Sequence, residues 1–87
     1  LAPFSGINLH PNPVDQYLQI RAQGNYKDVA LTLYNALGQA MYSNFYPNLN
    51  DKSKTISVSN LASGIYYVYI ANQEHQSSFK VVVSHQQ

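Results

Sequence analysis

The side chains that could support catalysis or metal binding are few: three histidines, four acidic residues and no cysteine. His10, His75 and His85 are widely separated and show none of the short spacings typical of zinc ligands. Nor does the sequence suggest a nucleophile with a base and an orienting partner. We therefore expect three solvated surface histidines, no catalytic residue, no metal and no cofactor.

Two further patterns could bind ions. Asn48, Asn50 and Asp51 offer oxygen atoms to calcium, but the segment lacks the acidic density and the closing glutamate of a calcium loop. An Asx-rich turn is the preferred interpretation. Gly38 and Gly64 could belong to a phosphate-binding loop only if a helix followed, and none is predicted. Both are expected to be turn glycines.

Size and composition indicate one small domain that folds alone. The 87 residues are 45% hydrophobic and 10% charged, which is far from the composition of disordered chains. The net charge is +1, and the five basic residues form no stripe that could neutralise phosphates, so no nucleic acid is expected. Residues 1–6 lack periodicity and are interpreted as a linker remnant, with the domain spanning 7–87.

Alternating apolar and polar residues predict short strands throughout the chain, and no segment shows a helical period over ten residues. The predicted strands are 7–10, 17–22, 28–34, 39–45, 55–58, 65–71 and 79–83. A long polar loop is expected at 47–51, and a polar hairpin tip at 72–76. The sequence predicts an all-β fold, an antiparallel immunoglobulin-like β-sandwich of about seven strands. A small open barrel is the competing architecture.

The strand at 65–71 carries apolar residues on both faces. If Tyr66 faces the core, Ile65, Tyr67 and Tyr69 must face outward. Val82 is expected on the matching outer face of the next strand. A contiguous apolar patch of this kind marks an interaction site, unless loops cover it.

Four motifs occur in order between about residues 7 and 83. They are an apolar strand that runs into Pro11, Asn12 and Pro13; an Asn-x-x-Gly hairpin with Asn35 and Gly38; a Leu-x-x-Gly-x-Tyr step with Leu61, Gly64 and Tyr66; and a final apolar strand with Lys80, Val81, Val82 and Val83. Together they resemble the C-terminal sorting domain of type IX secretion (the Por secretion family, type A).

The resemblance implies a non-catalytic signal that directs an attached upstream cargo protein through the type IX machinery across the outer membrane and is then removed. The implied partners are the outer-membrane translocon, its shuttle and its sortase-like protease. The implied location is the periplasm in transit, then the cell surface or the medium. The last strand, from Lys80 to Val83, and outward Tyr67 and Tyr69 are the expected recognition residues. Addition of a partner strand along an exposed edge would suit such recognition.

Two other functions remain open at the level of sequence. Eight tyrosines could stack on sugar rings in an adhesive or carbohydrate-binding β-sandwich, although the absence of tryptophan argues against it. An inert fibronectin-like spacer is the third interpretation.

Overall fold

The computed structural model describes residues 1–85, which form seven β-strands in two antiparallel sheets. The strands are β1 (Ile7–His10), β2 (Tyr17–Ala22), β3 (Tyr26–Asn35), β4 (Ala40–Leu49), β5 (Lys54–Ser57), β6 (Gly64–Ala71) and β7 (Gln76–Val83). One sheet has the order β1-β2-β5 and the other β4-β3-β6-β7. The predicted seven-stranded sandwich is confirmed, and the competing barrel is wrong. Residues 1–85 include no helix long and apolar enough to cross a bilayer.

The core lies between the two sheets and is built by the alternation seen in the sequence. Leu18 and Ile20 on β2 face Val29, Leu31 and Leu33 on β3, and all five are at most 1% exposed. Every other residue of a strand points to the same face, so one apolar set per strand suffices to form this layer. No polar or charged residue is buried within the described part of the chain.

Strand β4 is longer than predicted, and the loop expected at 47–51 is wrong in its first half. β4 continues through Pro47 to Leu49, which is fully buried and pairs with Tyr26. Proline is tolerated because β4 is an edge strand. The N–H of Phe45 donates to the side-chain oxygen of Asn44, so the backbone groups of residue 45 point away from β3. Residue 47 lies two positions further along the strand and therefore has the same orientation. At position 47 no N–H is needed.

The predicted Asn-x-x-Gly hairpin joins β3 to β4. The side-chain oxygen of Asn35 accepts hydrogen bonds from the N–H groups of Leu37 and Gln39, both at 2.9 Å. Gly38 has a φ of 84°, a conformation that side chains with a Cβ atom rarely adopt. Gly64 begins β6 with a φ of 158°, which residues with a Cβ atom also rarely adopt, so both predicted glycines stand at positions that favour glycine.

Residues 1–6 lie against the domain. Phe4 is 7% exposed and belongs to the core, and the N–H of Gln76 donates to the carbonyl of Ala2 at 2.9 Å. A hydrophobic period in the sequence could not reveal this packing, because only one residue of the segment is buried. That this segment comes from a linker to an upstream protein stays a prediction.

Val14 also joins the core outside any strand. It is fully buried and forms a parallel bridge to Val83, with the Val14 N–H donating to the carbonyl of Val82 at 2.9 Å. Short segments near Ala2 and Val14 therefore cover both ends of the free edge of β7. Gln86 and Gln87 lie outside the described residues.

Candidate recognition surface

The β6–β7 hairpin presents an apolar surface on the side of its sheet away from the core. Ile65, Tyr67 and Tyr69 are 42%, 44% and 38% exposed. Ile65 lies directly opposite Val82, and Tyr67 opposite Lys80. We call the surface formed by Ile65, Tyr67, Tyr69, Lys80 and Val82 the outer face. The sequence alternation placed these five side chains outside the core, and the structure has them there.

The outer face continues across the sheet. Tyr34 on β3 lies opposite Tyr67 on the side away from Lys80, so a tyrosine–tyrosine–lysine row crosses three strands. Met41 and Phe45 add exposed apolar area on β4. Thr32 and Ser78 lie on either side of Tyr69 in the next row, so hydroxyl groups interrupt the apolar residues. An exposed apolar patch is typical of an interaction site.

The opposite sheet has a different outer surface. Apart from Tyr17, its exposed strand residues are polar: Asn8, His10, Arg21, Thr55 and Ser57. The two sheets thus bury similar apolar sets inside but differ outside. The difference makes the larger sheet the more apolar of the two on its outer side.

Lys80 places a positive charge at the rim of the outer face. It is exposed, and among residues 1–85 the only ion pair joins His85 and Asp15. Val81 and Val83 are 1% exposed and point into the core. They alternate along β7 with Lys80 and Val82, and all four are predicted recognition residues. A partner that meets the folded domain can therefore contact the side chains of Lys80 and Val82, while Val81 and Val83 support them from below. A recognition role for any of the four stays a prediction.

The Leu-x-x-Gly-x-Tyr step fixes the start of β6. The hydroxyl of Tyr66 donates to the carbonyl of Ala62 at 2.6 Å, and Leu61 packs against the core. A tyrosine that bonds back to the backbone a few residues upstream is also found at the corner of immunoglobulin domains. This contact orients the strand from which Tyr67 and Tyr69 project.

His85 fastens the end of the described chain to two loops and is only partly solvated, with 28% of its side chain exposed. Its Nδ1 lies 3.0 Å from Asp15 Oδ1, and its Nε2 contacts the carbonyl oxygen of Leu61. The bond to the Leu61 carbonyl, followed by the bond to Asp15, raises the pKa of His85 above 6.5. Both ring nitrogens face acceptors, and only the protonated imidazole can donate to both. No sequence signal connects positions seventy residues apart.

His75 is also packed rather than solvated. Its ring stacks on Phe4 with a centroid distance of 5.2 Å and meets the edge of Tyr26 at the same distance. The rings of Tyr26 and His75 border a shallow hollow of about 370 Å³ between the β2–β3 and β6–β7 turns. The Phe4 and Tyr26 rings also contact each other, with centroids 5.0 Å apart, so the three rings form one aromatic cluster and His75 has a structural role. His10 is exposed, as expected.

The polar residues after β4 form a turn. Asn50 Oδ1 accepts the N–H of Lys52 at 3.0 Å, which is the Asx geometry preferred in the sequence interpretation. Across the described residues, no three His, Cys, Asp or Glu side chains are grouped so that they could hold a metal ion.

Fold and surface together define a class: a small immunoglobulin-like sandwich whose distinguishing feature is an apolar outer face. Comparison with protein families identifies the member of that class. A model described as "Secretion system C-terminal sorting domain" matches residues 8–84, and the chain belongs to this family, the C-terminal sorting domains of type IX secretion. The match confirms the resemblance drawn from the four motifs. A search of curated proteins gave no match.

Membership gives the domain its general role. It is a C-terminal sorting signal for type IX secretion, a family of non-catalytic signal domains. The family implies interaction with the type IX system and attachment to a cargo protein that reaches the cell surface or the outside. The adhesive or carbohydrate-binding alternative is not favoured.

Proposed function

We propose that this domain carries a covalently attached upstream cargo from the periplasm through the outer-membrane translocon, which reads the outer face of the folded domain. The observation that carries the proposal is the contrast between the two sheets. One outer surface is polar apart from Tyr17, and the other displays Ile65, Tyr67, Tyr69 and Val82 around the charge of Lys80.

Face recognition is favoured over strand addition because both edges of the larger sheet are obstructed in part. On β4, the N–H of Phe45 is already bonded to Asn44, and Pro47 has none to offer. On β7, the carbonyl of Ala2 takes the N–H of Gln76, and Val14 occupies the far end of the strand. An incoming strand would have to displace these segments, whereas the outer face is open as it stands.

The path of the chain puts the attachment of an upstream cargo at one end of the outer face. Residues 2–4 reach the domain at the β6–β7 turn, and His85 lies at the other end of β7, an eight-residue strand about 25 Å long. Cargo would extend from the turn end. Removal by the sortase-like protease would then require a bond upstream of Phe4, because Phe4 is buried and its N–H donates to Ser77 Oγ at 2.9 Å.

The proposal is tested by fusing residues 1–87 to the C-terminus of a periplasm-targeted fluorescent protein in a host that has the type IX system. We expect fluorescence at the cell surface or in the medium, and none there for the same reporter without the domain. Retention of the fusion in the periplasm, with the domain shown to be folded by protease resistance, would refute the proposed function.

A further inference from the structure

The side chain of Asn12 bonds the free edge of the last strand at two points. Its Nδ2 donates to the carbonyl of Lys80 at 3.0 Å, and its Oδ1 accepts the N–H of Val82 at 2.9 Å. Alternate residues of an antiparallel strand direct both backbone groups to one side, and at positions 80 and 82 of β7 that side is the one away from β6. Asn12 therefore binds this edge as the peptide unit of one more strand would.

The neighbouring prolines explain why a side chain is used here. Pro11 and Pro13 have no N–H to donate, and they bias the residues before them toward extended backbone. A backbone ladder could not run through them. A side-chain amide carries both a donor and an acceptor, so that of Asn12 supplies the missing pair.

From Val14 onward, backbone groups again form the hydrogen bonds to the end of the last strand. The N–H of Val14 donates to the carbonyl of Val82 at 2.9 Å, and the N–H of Ser84 donates to the carbonyl of Val14 at 2.8 Å. Four hydrogen bonds thus cover the edge of the chain from Lys80 to Ser84. This stretch contains both residues that β7 contributes to the outer face.

We propose that Asn12 is a positioning residue for recognition: it closes the edge of β7 at Lys80 and Val82 and holds these two residues in place on the outer face. The inference rests on the proposed function and deepens it. It connects the Pro-Asn-Pro motif to the terminal strand, sixty-eight residues away, through one amide group. A partner then meets this stretch through its side chains and not through its backbone.

The structural part is tested by amide hydrogen exchange in the isolated domain. Asn12→Ala removes both bonds, so exchange at the Val82 amide should accelerate by about two- to twelvefold, the equivalent of one hydrogen bond. Asn44→Ala, which removes the amide that caps Phe45 on the opposite edge, is the matched control and should accelerate Phe45 alone. Unchanged exchange at Val82 in Asn12→Ala would overturn the inference.

The functional part uses the reporter fusion. We expect Asn12→Ala to lose export while Asn44→Ala keeps it, with both domains folded at the assay temperature. Export of Asn12→Ala equal to or above that of the control would also overturn the inference, since an open edge would then serve the translocon as well as a closed one. If the unaltered fusion itself stays in the periplasm, the proposed function fails, and the exchange data still decide whether Asn12 closes the edge.

Discussion

A paired substitution on the outer face separates recognition from stability. Tyr67→Ser with Val82→Asp removes the central tyrosine and places a charge beside Ile65. Tyr67 has cross-strand neighbours in Tyr34 and Lys80, and Val82 has one in Ile65. At about 0.2–1 kcal/mol for each cross-strand pair, losing three pairs lowers the free energy of unfolding by about 0.6–3 kcal/mol.

Two comparison variants calibrate that loss. Tyr17→Ser with Thr55→Asp makes the same kind of change on the outer surface of the other sheet, where both residues are exposed. Val81→Ala leaves the outer face intact but removes two buried methyl groups, which costs about 1.6 kcal/mol for transfer and about 2–3 kcal/mol with the cavity that remains.

The assay measures secreted and periplasmic reporter for each fusion, beside urea unfolding of each isolated domain. We expect the outer-face pair to lose export, and the Tyr17 and Thr55 pair to keep it. Val81→Ala should lose export only in proportion to its unfolded fraction. Equal export of the two paired variants at equal folded fraction would refute the reasoning and remove the outer face as the recognition surface.

Three further predictions concern single positions. Gly38→Val should cost about 1–3 kcal/mol because of the φ of 84°, while Gly38→Asn, which tolerates that conformation, should cost less; equal unfolding midpoints would contradict the turn geometry. Tyr66→Phe should cost about 1–2 kcal/mol by leaving the Ala62 carbonyl without its hydroxyl, and a wild-type midpoint would show that this bond adds nothing. Because its pKa is raised, the contribution of His85 to the free energy of unfolding is complete below about pH 6.5 and is lost as the pH rises through the folded-state pKa. His85→Gln should therefore narrow the difference between the melting temperatures at about pH 5 and pH 9. An unchanged dependence of melting temperature on pH would exclude the contact.

The sequence was sufficient for the features that repeat locally. Strands β2, β3 and β6 each carry an apolar residue at every second position, so the buried set of each strand and the outward set of β6 followed from alternation alone. The hairpin turn followed from Asn35 and Gly38, because the turn needs a side-chain acceptor at one end and a positive φ at the other.

Features that depend on contacts distant in sequence could not be predicted. Phe4 and Val14 each follow a proline and belong to no alternating pattern, and both are buried next to an end of β7. Pro47 indicated a loop because proline is excluded from the interior of a sheet. It is acceptable in β4 because β4 lies at the edge of its sheet, which the sequence does not show. The partners of Asn12 are equally distant, so the sequence identified the motif but not what it binds.

The central claim is that the translocon reads the outer face, and site-specific photocrosslinking tests it most directly. A photoreactive phenylalanine analogue replaces Tyr67 in one fusion and Tyr17, exposed on the opposite sheet, in another. During export, the analogue at position 67 should crosslink to an outer-membrane component of the type IX machinery, and that at position 17 should not. Crosslinks to such a component from position 17 but not from position 67 would contradict the claim.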